Sequence, residues 1–164
     1  MTLSQIKLEI ESNTRITKDL QSQIANLMRR NNDLNSEYNI KILEHFKEYL
    51  EIGTTYNVET WLNLSGIQTG VKEGDKIHAP NFNHGDSFSI IKKNNKSIVI
   101  KVNTKIVSTY SNGTNTKTIH DNPGWTFRIE LESLYEQLSN KDKNFKESFS
   151  KYLNRKEALE SLGI

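Results

Sequence analysis

Six lysines lie between Ser87 and His120, in a stretch that contains no aspartate or glutamate. Ammonium groups on successive strands of a sheet can share a face and gain affinity for a phosphate backbone by releasing its counterions. Phe82 and Trp125, together with Tyr110, supply aromatic rings on which bases can stack. The residues predicted to bind nucleic acid are Lys92, Lys93, Lys96, Lys101, Lys105, Tyr110 and Lys117. Because the stretch has no arginine, which most often reads bases, we expect sequence-tolerant binding of DNA or RNA.

Two other interpretations of these lysines stay open. Lysines on an exposed sheet also solvate its outer face and protect edge strands from aggregation. The rival functional class is a protein-interaction or inhibitory factor that docks on a host protein. Such small factors are made by phages and low-GC bacteria, whose A/T-rich genomes favour the Asn, Lys and Ile used heavily here. Salt dependence separates the classes, since phosphate binding falls steeply with salt and apolar docking does not.

The histidines and acids form no recognisable catalytic or metal-binding pattern. His78, His84 and Asp86 flank one loop and could converge on an ion such as zinc, but their spacing matches no metal signature. His120 and Asp121 could pair a base with its orienting carboxylate, although catalysis would also need a nucleophile and an oxyanion site. The chain has no cysteine and no glycine-rich phosphate loop. We therefore predict a non-enzymatic protein with no catalytic residues, no metal and no cofactor.

The element before these residues is a seven-residue repeat that runs from Ile6 to Tyr38. A helix with this spacing carries a narrow apolar stripe that a second helix must cover. Asn31 falls at a buried position where asparagine favours an aligned two-stranded coil, so the sequence predicts a homodimer. The residues predicted at the dimer interface are Ile10, Leu20, Ile24, Leu27, Asn31, Leu34 and Tyr38. Antiparallel pairing, a trimer, and packing against the chain's own globular part stay open.

The apolar pattern divides the chain into a coiled-coil helix (1–52), a β-rich barrel-like binding domain (53–131) and a C-terminal helical segment (132–164). Residues 54–66 fit either a strand or a helix. Strands are predicted at Asp75 to Ala79, Ser87 to Lys93, Lys96 to Val102, Lys105 to Tyr110, Thr116 to His120 and Trp125 to Leu131. Asn94-Asn95 and Asn112-Gly113 predict tight turns. The fold class is therefore α+β, with an antiparallel meander between the long helix and three short C-terminal helices, the last capped by Asn154.

Three stretches, Val71 to Ile77, Gly85 to Lys93 and Lys96 to Val102, resemble a small SH3-like barrel of the KOW or Tudor type. Those barrels begin with a Gly-Asp turn and a short strand, followed by a longer loop and two hairpinned strands. The resemblance covers about residues 70–131. It implies a binding module for nucleic acid or protein segments that seldom catalyses.

The composition and the N-terminal sequence indicate the cellular compartment of the protein. No stretch approaches the roughly 20 apolar residues that span a bilayer, and the N-terminus lacks a basic segment followed by an apolar run. The absence of cysteine fits a reducing compartment. We expect a cytoplasmic protein, in the host cytoplasm if its source is a virus, with no membrane partner.

Replacing Asn31 with leucine tests the coil. We expect the native chain to have twice its 18.9 kDa mass by light scattering behind size exclusion. Asn31→Leu should raise the thermal midpoint while broadening the distribution of oligomer masses, because the buried amide is lost together with the register it imposes. A monomeric native chain at micromolar concentration would contradict the coil.

Overall fold

The computed structural model describes residues 1–70 and 81–163. It confirms the predicted α+β class, with a long N-terminal helix, two antiparallel sheets and C-terminal helices. The helices are α1 (Leu3–Tyr49), α2 (Leu131–Lys141) and α3 (Lys143–Ser161). The strands are β1 (Thr55–Asn57), β2 (Leu62–Asn63), β3 (Gly66–Gly70), β4 (Asn81–Phe82), β5 (Ser87–Lys93), β6 (Ser97–Ser111), β7 (Thr114–Asp121) and β8 (Thr126–Glu130). The predicted strand from Asp75 to Ala79 lies outside the described residues, as does the first stretch of the SH3-like resemblance.

The first compact unit spans Met1–Ile42. Its helix α1 is uninterrupted, since no Gly or Pro occurs before Gly53. Every residue from Met1 to Lys41 is exposed. The six apolar residues of the predicted interface are 52% to 63% exposed: Ile10, Leu20, Ile24, Leu27, Leu34 and Tyr38. The described chain therefore leaves this stripe exposed.

The second compact unit spans Leu43–Ile164. It begins before the predicted boundary at residue 52, because Phe46 and Leu50 belong to the globular core, where they are 0% and 1% exposed. The predicted segments 53–131 and 132–164 also fall within this one unit. Its buried apolar side chains come from the end of α1, from α2 and α3, and from strands of both sheets.

An aromatic cluster holds the three helices of this unit together. The ring of Phe46 contacts three other rings at centroid distances of 5.4 to 5.8 Å: Tyr135, Phe145 and Phe149. Asp142 caps α3 by accepting a hydrogen bond from the Phe145 backbone N–H at 2.9 Å. α3 then runs to Ser161 without a break. The separate last helix capped by Asn154 was a wrong prediction, because nothing before Gly163 interrupts helix propagation.

The larger sheet has the order β1-β5-β6-β8-β3, and β7 pairs with β6. β6 is long enough to pair with β8 through residues 97–101 and with β7 through residues 104–111. The strands predicted separately at Lys96 to Val102 and Lys105 to Tyr110 are thus one strand, which passes through Asn103 with a shift of register instead of a turn. The smaller sheet pairs β2 with β4. Residues 54–66 form β1, β2 and the start of β3, so the strand alternative was correct.

Strand β8 pairs with β6 and not with β7, which precedes it in the chain, so the sheet is not a simple meander. The order of described strands ends at β1 on one side and β3 on the other, and no pairing between these two strands occurs among described residues. The tight turn at Asn112-Gly113 is confirmed, because both residues have positive φ, 51° and 78°.

Truncation of Phe46 tests the assignment of the end of α1 to the globular core. Phe46→Ala should lower the free energy of unfolding by about 3–5 kcal/mol in urea titrations, because it empties the centre of the aromatic cluster. The matched control is Ile91→Ala, which truncates a side chain that is 46% exposed. Equal effects of the two truncations would contradict the assignment.

Candidate nucleic-acid interface

Side-chain alternation along β6 defines an inward and an outward side of the larger sheet. Ile98, Ile100 and Val102 are 0% exposed and face the core. The residues between them therefore point outward, and β6 carries Val99 and Lys101 on that side. We call this outward side of β5, β6, β7 and β8 the outer sheet surface.

Three exposed cations surround Val99 on the outer sheet surface. Lys92 of β5 and Arg128 of β8 lie directly opposite Val99 on its two sides. Lys101 lies two residues further along β6 and is paired with Thr126. Directly opposed residues have Cβ atoms about 4.5–5.5 Å apart, and diagonal neighbours about 7–8 Å. The register therefore collects the three cations into one cluster, the Val99 cluster.

The Val99 cluster has no anionic partner among the described residues. None of its three cations forms an ion pair within 4.0 Å there. The nearest outward carboxylate in the register is that of Glu130, opposite Ser97. The charges of the cluster are thus directed to solvent, where phosphate oxygens can reach them.

Arg128 was missed in the sequence because the acid-free stretch ends before it, at His120. The signal that identifies it is the alternation of β8. Phe127 and Ile129 are buried, so the residue between them must face outward. Alternation along β8 places Arg128 on the outward side, while its position opposite Val99 depends on the pairing of β8 with β6.

The odd-numbered residues of β6 face outward up to Asn103, and the even-numbered residues face outward beyond it. The register shifts there, since Ser87 pairs with Thr104 while Phe88 pairs with Val102. Val102 faces inward and so does Lys105, which is only 7% exposed. The extra residue is a β-bulge, which changes the face that the following side chains occupy.

The bulge brings two more predicted residues to the outer sheet surface. Tyr110 follows Lys105 by an odd number of residues and so faces outward. Lys117 lies opposite Ser108, which is on the same side as Tyr110. Tyr110 is 77% exposed. Lys92, Lys101, Tyr110 and Lys117 of the predicted set therefore share one side of the sheet with Arg128.

Lys105 does not reach the surface. Its ammonium lies 2.7 Å from a carboxylate oxygen of Asp86, which is 0% exposed, and also donates to the Asn81 carbonyl. It stands 4.9 Å from the centroid of the Phe82 ring. This buried pairing corrects the prediction that Lys105 binds nucleic acid.

Lys93 is also used within the fold. Its ammonium donates to the carbonyl oxygens of Lys47 and Leu50 at 2.9 and 2.7 Å. A cation there stabilises the C-terminal end of α1, whose last carbonyls have no helical partner. Lys96 is exposed in the turn between β5 and β6, where its carbonyl accepts from the Leu131 backbone N–H at 3.0 Å. Of these two predicted residues, Lys96 alone can reach a ligand.

The aromatic residues predicted for base stacking differ in exposure. Phe82 and Trp125 are buried, at 1% and 4% exposure, so neither presents a ring face to solvent. Tyr110 remains as a stacking residue of the outer sheet surface. The interface thus offers phosphate contacts more readily than base stacking.

The candidate metal and catalytic residues do not converge where the structure describes them. Nδ1 of His84 lies 3.2 Å from the Glu59 carbonyl oxygen, while the Asp86 carboxylate is engaged with Lys105. His78 lies outside the described residues. His120 packs against the Trp125 ring. Among residues 1–70 and 81–163, no group of three His, Cys, Asp or Glu side chains is arranged to hold a metal ion.

Comparisons of the chain with protein-family models, curated proteins and solved structures found no match. The likeness to SH3-like barrels therefore stays a resemblance, and the functional argument depends on the outer sheet surface. None of the described helices combines the length and apolarity needed to cross a bilayer.

Two lysine truncations on β6 separate buried from surface lysines. Lys105→Ala should lower the free energy of unfolding by about 3–5 kcal/mol, because it leaves the Asp86 carboxylate buried without its cation. Lys101→Ala should change it by less than about 0.5 kcal/mol, because Lys101 is exposed. Urea unfolding followed by circular dichroism measures both. Similar values for the two variants would contradict the assigned roles.

Proposed function

We propose that this chain is a homodimeric, non-catalytic protein that binds nucleic acid through the outer sheet surface, with little dependence on sequence. The observation that carries the proposal is the Val99 cluster, in which Lys92, Lys101 and Arg128 are exposed on three neighbouring strands without a described anionic partner. We expect this function in the cytoplasm, since a chain without cysteine suits a reducing compartment.

The cluster suits a phosphate backbone because its cations are spaced by the strands instead of gathered at one point. Each phosphate that a cation neutralises releases a counterion, so the logarithm of affinity falls with the logarithm of salt by about 0.9 per contact on duplex DNA. Ser89 and Thr126 lie opposite Lys101 on its two sides, but their hydroxyl groups already pair with those of Thr55 and Thr69, so the cations are the groups available to phosphate oxygens. Arg128 is the one arginine in the cluster, which limits direct base reading.

Dimerisation would strengthen such binding. The uncovered stripe of α1 supports pairing of two chains, and each chain would bring one outer sheet surface. A repetitive ligand such as nucleic acid can engage both surfaces, so the second contact forms at a raised effective concentration. A modest single-site affinity then suffices for stable binding.

A second candidate function is docking on a host protein. Apolar residues interrupt the basic surface, among them Val99 at the centre of the cluster and Ile67, which lies opposite Arg128 and is 61% exposed. Apolar residues ringed by cations can also contact an acidic protein. Binding of that kind persists at high salt to the extent that apolar burial drives it.

Charge reversal tests nucleic-acid binding. The variant Lys92→Glu with Lys101→Glu should weaken binding to unrelated DNA and RNA sequences alike and reduce the salt slope by about 2 per chain. Gel shifts and fluorescence anisotropy across a salt series measure both effects.

The matched control is Lys146→Glu with Lys151→Glu, which reverses two exposed lysines on α3 and leaves the outer sheet surface intact. It should bind like the native chain. No gel shift of the native chain at low salt, or equal binding by the two reversed variants, would favour the host-protein alternative.

A further inference from the structure

The distal half of β6 and β7 form a two-stranded ribbon, which we define as residues 105–121. Its pairs run from Lys105 opposite His120 to Ser111 opposite Thr114. A two-residue turn with positive φ at Asn112 and Gly113 closes its tip, so the ribbon stays narrow to its end. Seven residues per strand extend about 23 Å, at about 3.3 Å per residue.

Both faces of the ribbon are open to solvent over most of its length. Every residue from Ser108 to Ile119 is exposed. The face that continues the outer sheet surface carries Ser108, Tyr110, Asn115, Lys117 and Ile119, and the opposite face carries Thr109, Ser111, Thr114, Thr116 and Thr118. The ribbon contains no carboxylate before Asp121, at its base. It presents mainly hydroxyl, amide and ammonium groups, and the carboxylate at its base, on Asp121, lies on the outward side opposite Thr104.

We propose that this ribbon enters the major groove of double-stranded DNA, an inference that rests on the proposed nucleic-acid binding. The major groove of B-form DNA is about 12 Å wide and about 8.5 Å deep, and it admits a two-stranded β-ribbon. The minor groove, about 6 Å wide, is too narrow for two strands that lie about 4.8 Å apart and carry side chains. The deep, narrow major groove of A-form RNA excludes side chains.

Continuity of β6 connects the ribbon to the Val99 cluster. Lys101 and Tyr110 lie on the same side of this one strand, so a duplex seated on the ribbon also faces the cluster. The cluster would then hold phosphates beside the groove, while the ribbon contacts base edges. Asn115 can pair with adenine, and serine or threonine hydroxyls can bond to any base, which adds a modest sequence preference to backbone binding.

A shortened ribbon tests the inference. Deleting Thr109 and Tyr110 from β6 together with Asn115 and Thr116 from β7 removes two register pairs and leaves the tip turn in place. Two residues are deleted from each strand, so the remaining side chains stay on their original faces. The probes are a mixed-sequence DNA duplex, one of its single strands, and an RNA duplex of the same sequence.

We expect the shortened chain to lose at least about tenfold in affinity for the DNA duplex and less than about twofold for the single strand. The native chain should prefer the DNA duplex to the RNA duplex. Methylation of guanine N7, which lies in the major groove, should interfere with binding of the native chain but not of the shortened one.

A side-chain variant keeps the test independent of the deletion. Tyr110→Ala with Asn115→Ala and Lys117→Ala changes exposed groups on one ribbon face and should also lower affinity for the DNA duplex by about tenfold. The matched control is Lys146→Ala with Lys151→Ala on α3, which should bind the duplex like the native chain. Light scattering should give every variant the native mass.

Failure of the inference is distinguishable from failure of the proposed function. If both ribbon variants bind the DNA duplex within about twofold of the native chain, while the Lys92→Glu and Lys101→Glu variant loses binding, the groove inference is overturned and backbone binding stands. A native chain that binds none of the three probes overturns both. Ribbon variants whose mass falls together with their affinity would assign the ribbon to contacts between copies of the chain, which also overturns the inference.

Discussion

A buried carboxylate fixes the geometry on which the outer sheet surface depends. Asp86 is 0% exposed and accepts hydrogen bonds from the Asn83 and Ile106 backbone N–H groups, each at 2.7 Å, and from Lys105. Its own carbonyl accepts from the Val58 backbone N–H at 2.8 Å. A buried charge is tolerated only with such complete partners, so the loop before β5 can dock on β6 in few ways. The pairing therefore holds the base of the ribbon in place.

The bulge at Asn103 decides which side chains meet on one side. Asn103 donates to the Ser89 hydroxyl at 2.6 Å, which holds the extra residue on the outward side of the sheet. If β6 instead alternated regularly through Asn103, with no bulge, Thr104 would face inward and Tyr110 would lie on the opposite side from Lys101. A one-residue change of register moves every following side chain to the other face. The basic surface and the ribbon are continuous because the bulge and the Asp86 pairing occur together.

The lysines of this chain have two different roles, which depend on their position in the fold. Lys93 and Lys105 neutralise groups that the fold buries, a helix end and a carboxylate, and they stabilise the globular unit. Lys92 and Lys101 are exposed and free of described anionic partners, so their charge is available to a ligand. A net charge of only +2 for the whole chain hides this separation. Affinity for an anion depends on the local surface and on the number of surfaces that act together, not on the net charge.

Local features of the sequence determined the long helix, the strand at Ser87 to Lys93 and the turn at Asn112-Gly113, because helical periodicity, alternation and positive-φ residues act over a few neighbouring positions. The same local rules identified a basic sheet but could not sort its lysines. Burial of Lys105 requires Asp86, distant in sequence, and the inclusion of Arg128 requires that β8 return to β6 and lie opposite Val99. Tertiary structure alone made these assignments, since the energy of a charge depends on the groups that folding brings to it and not on its neighbours along the chain.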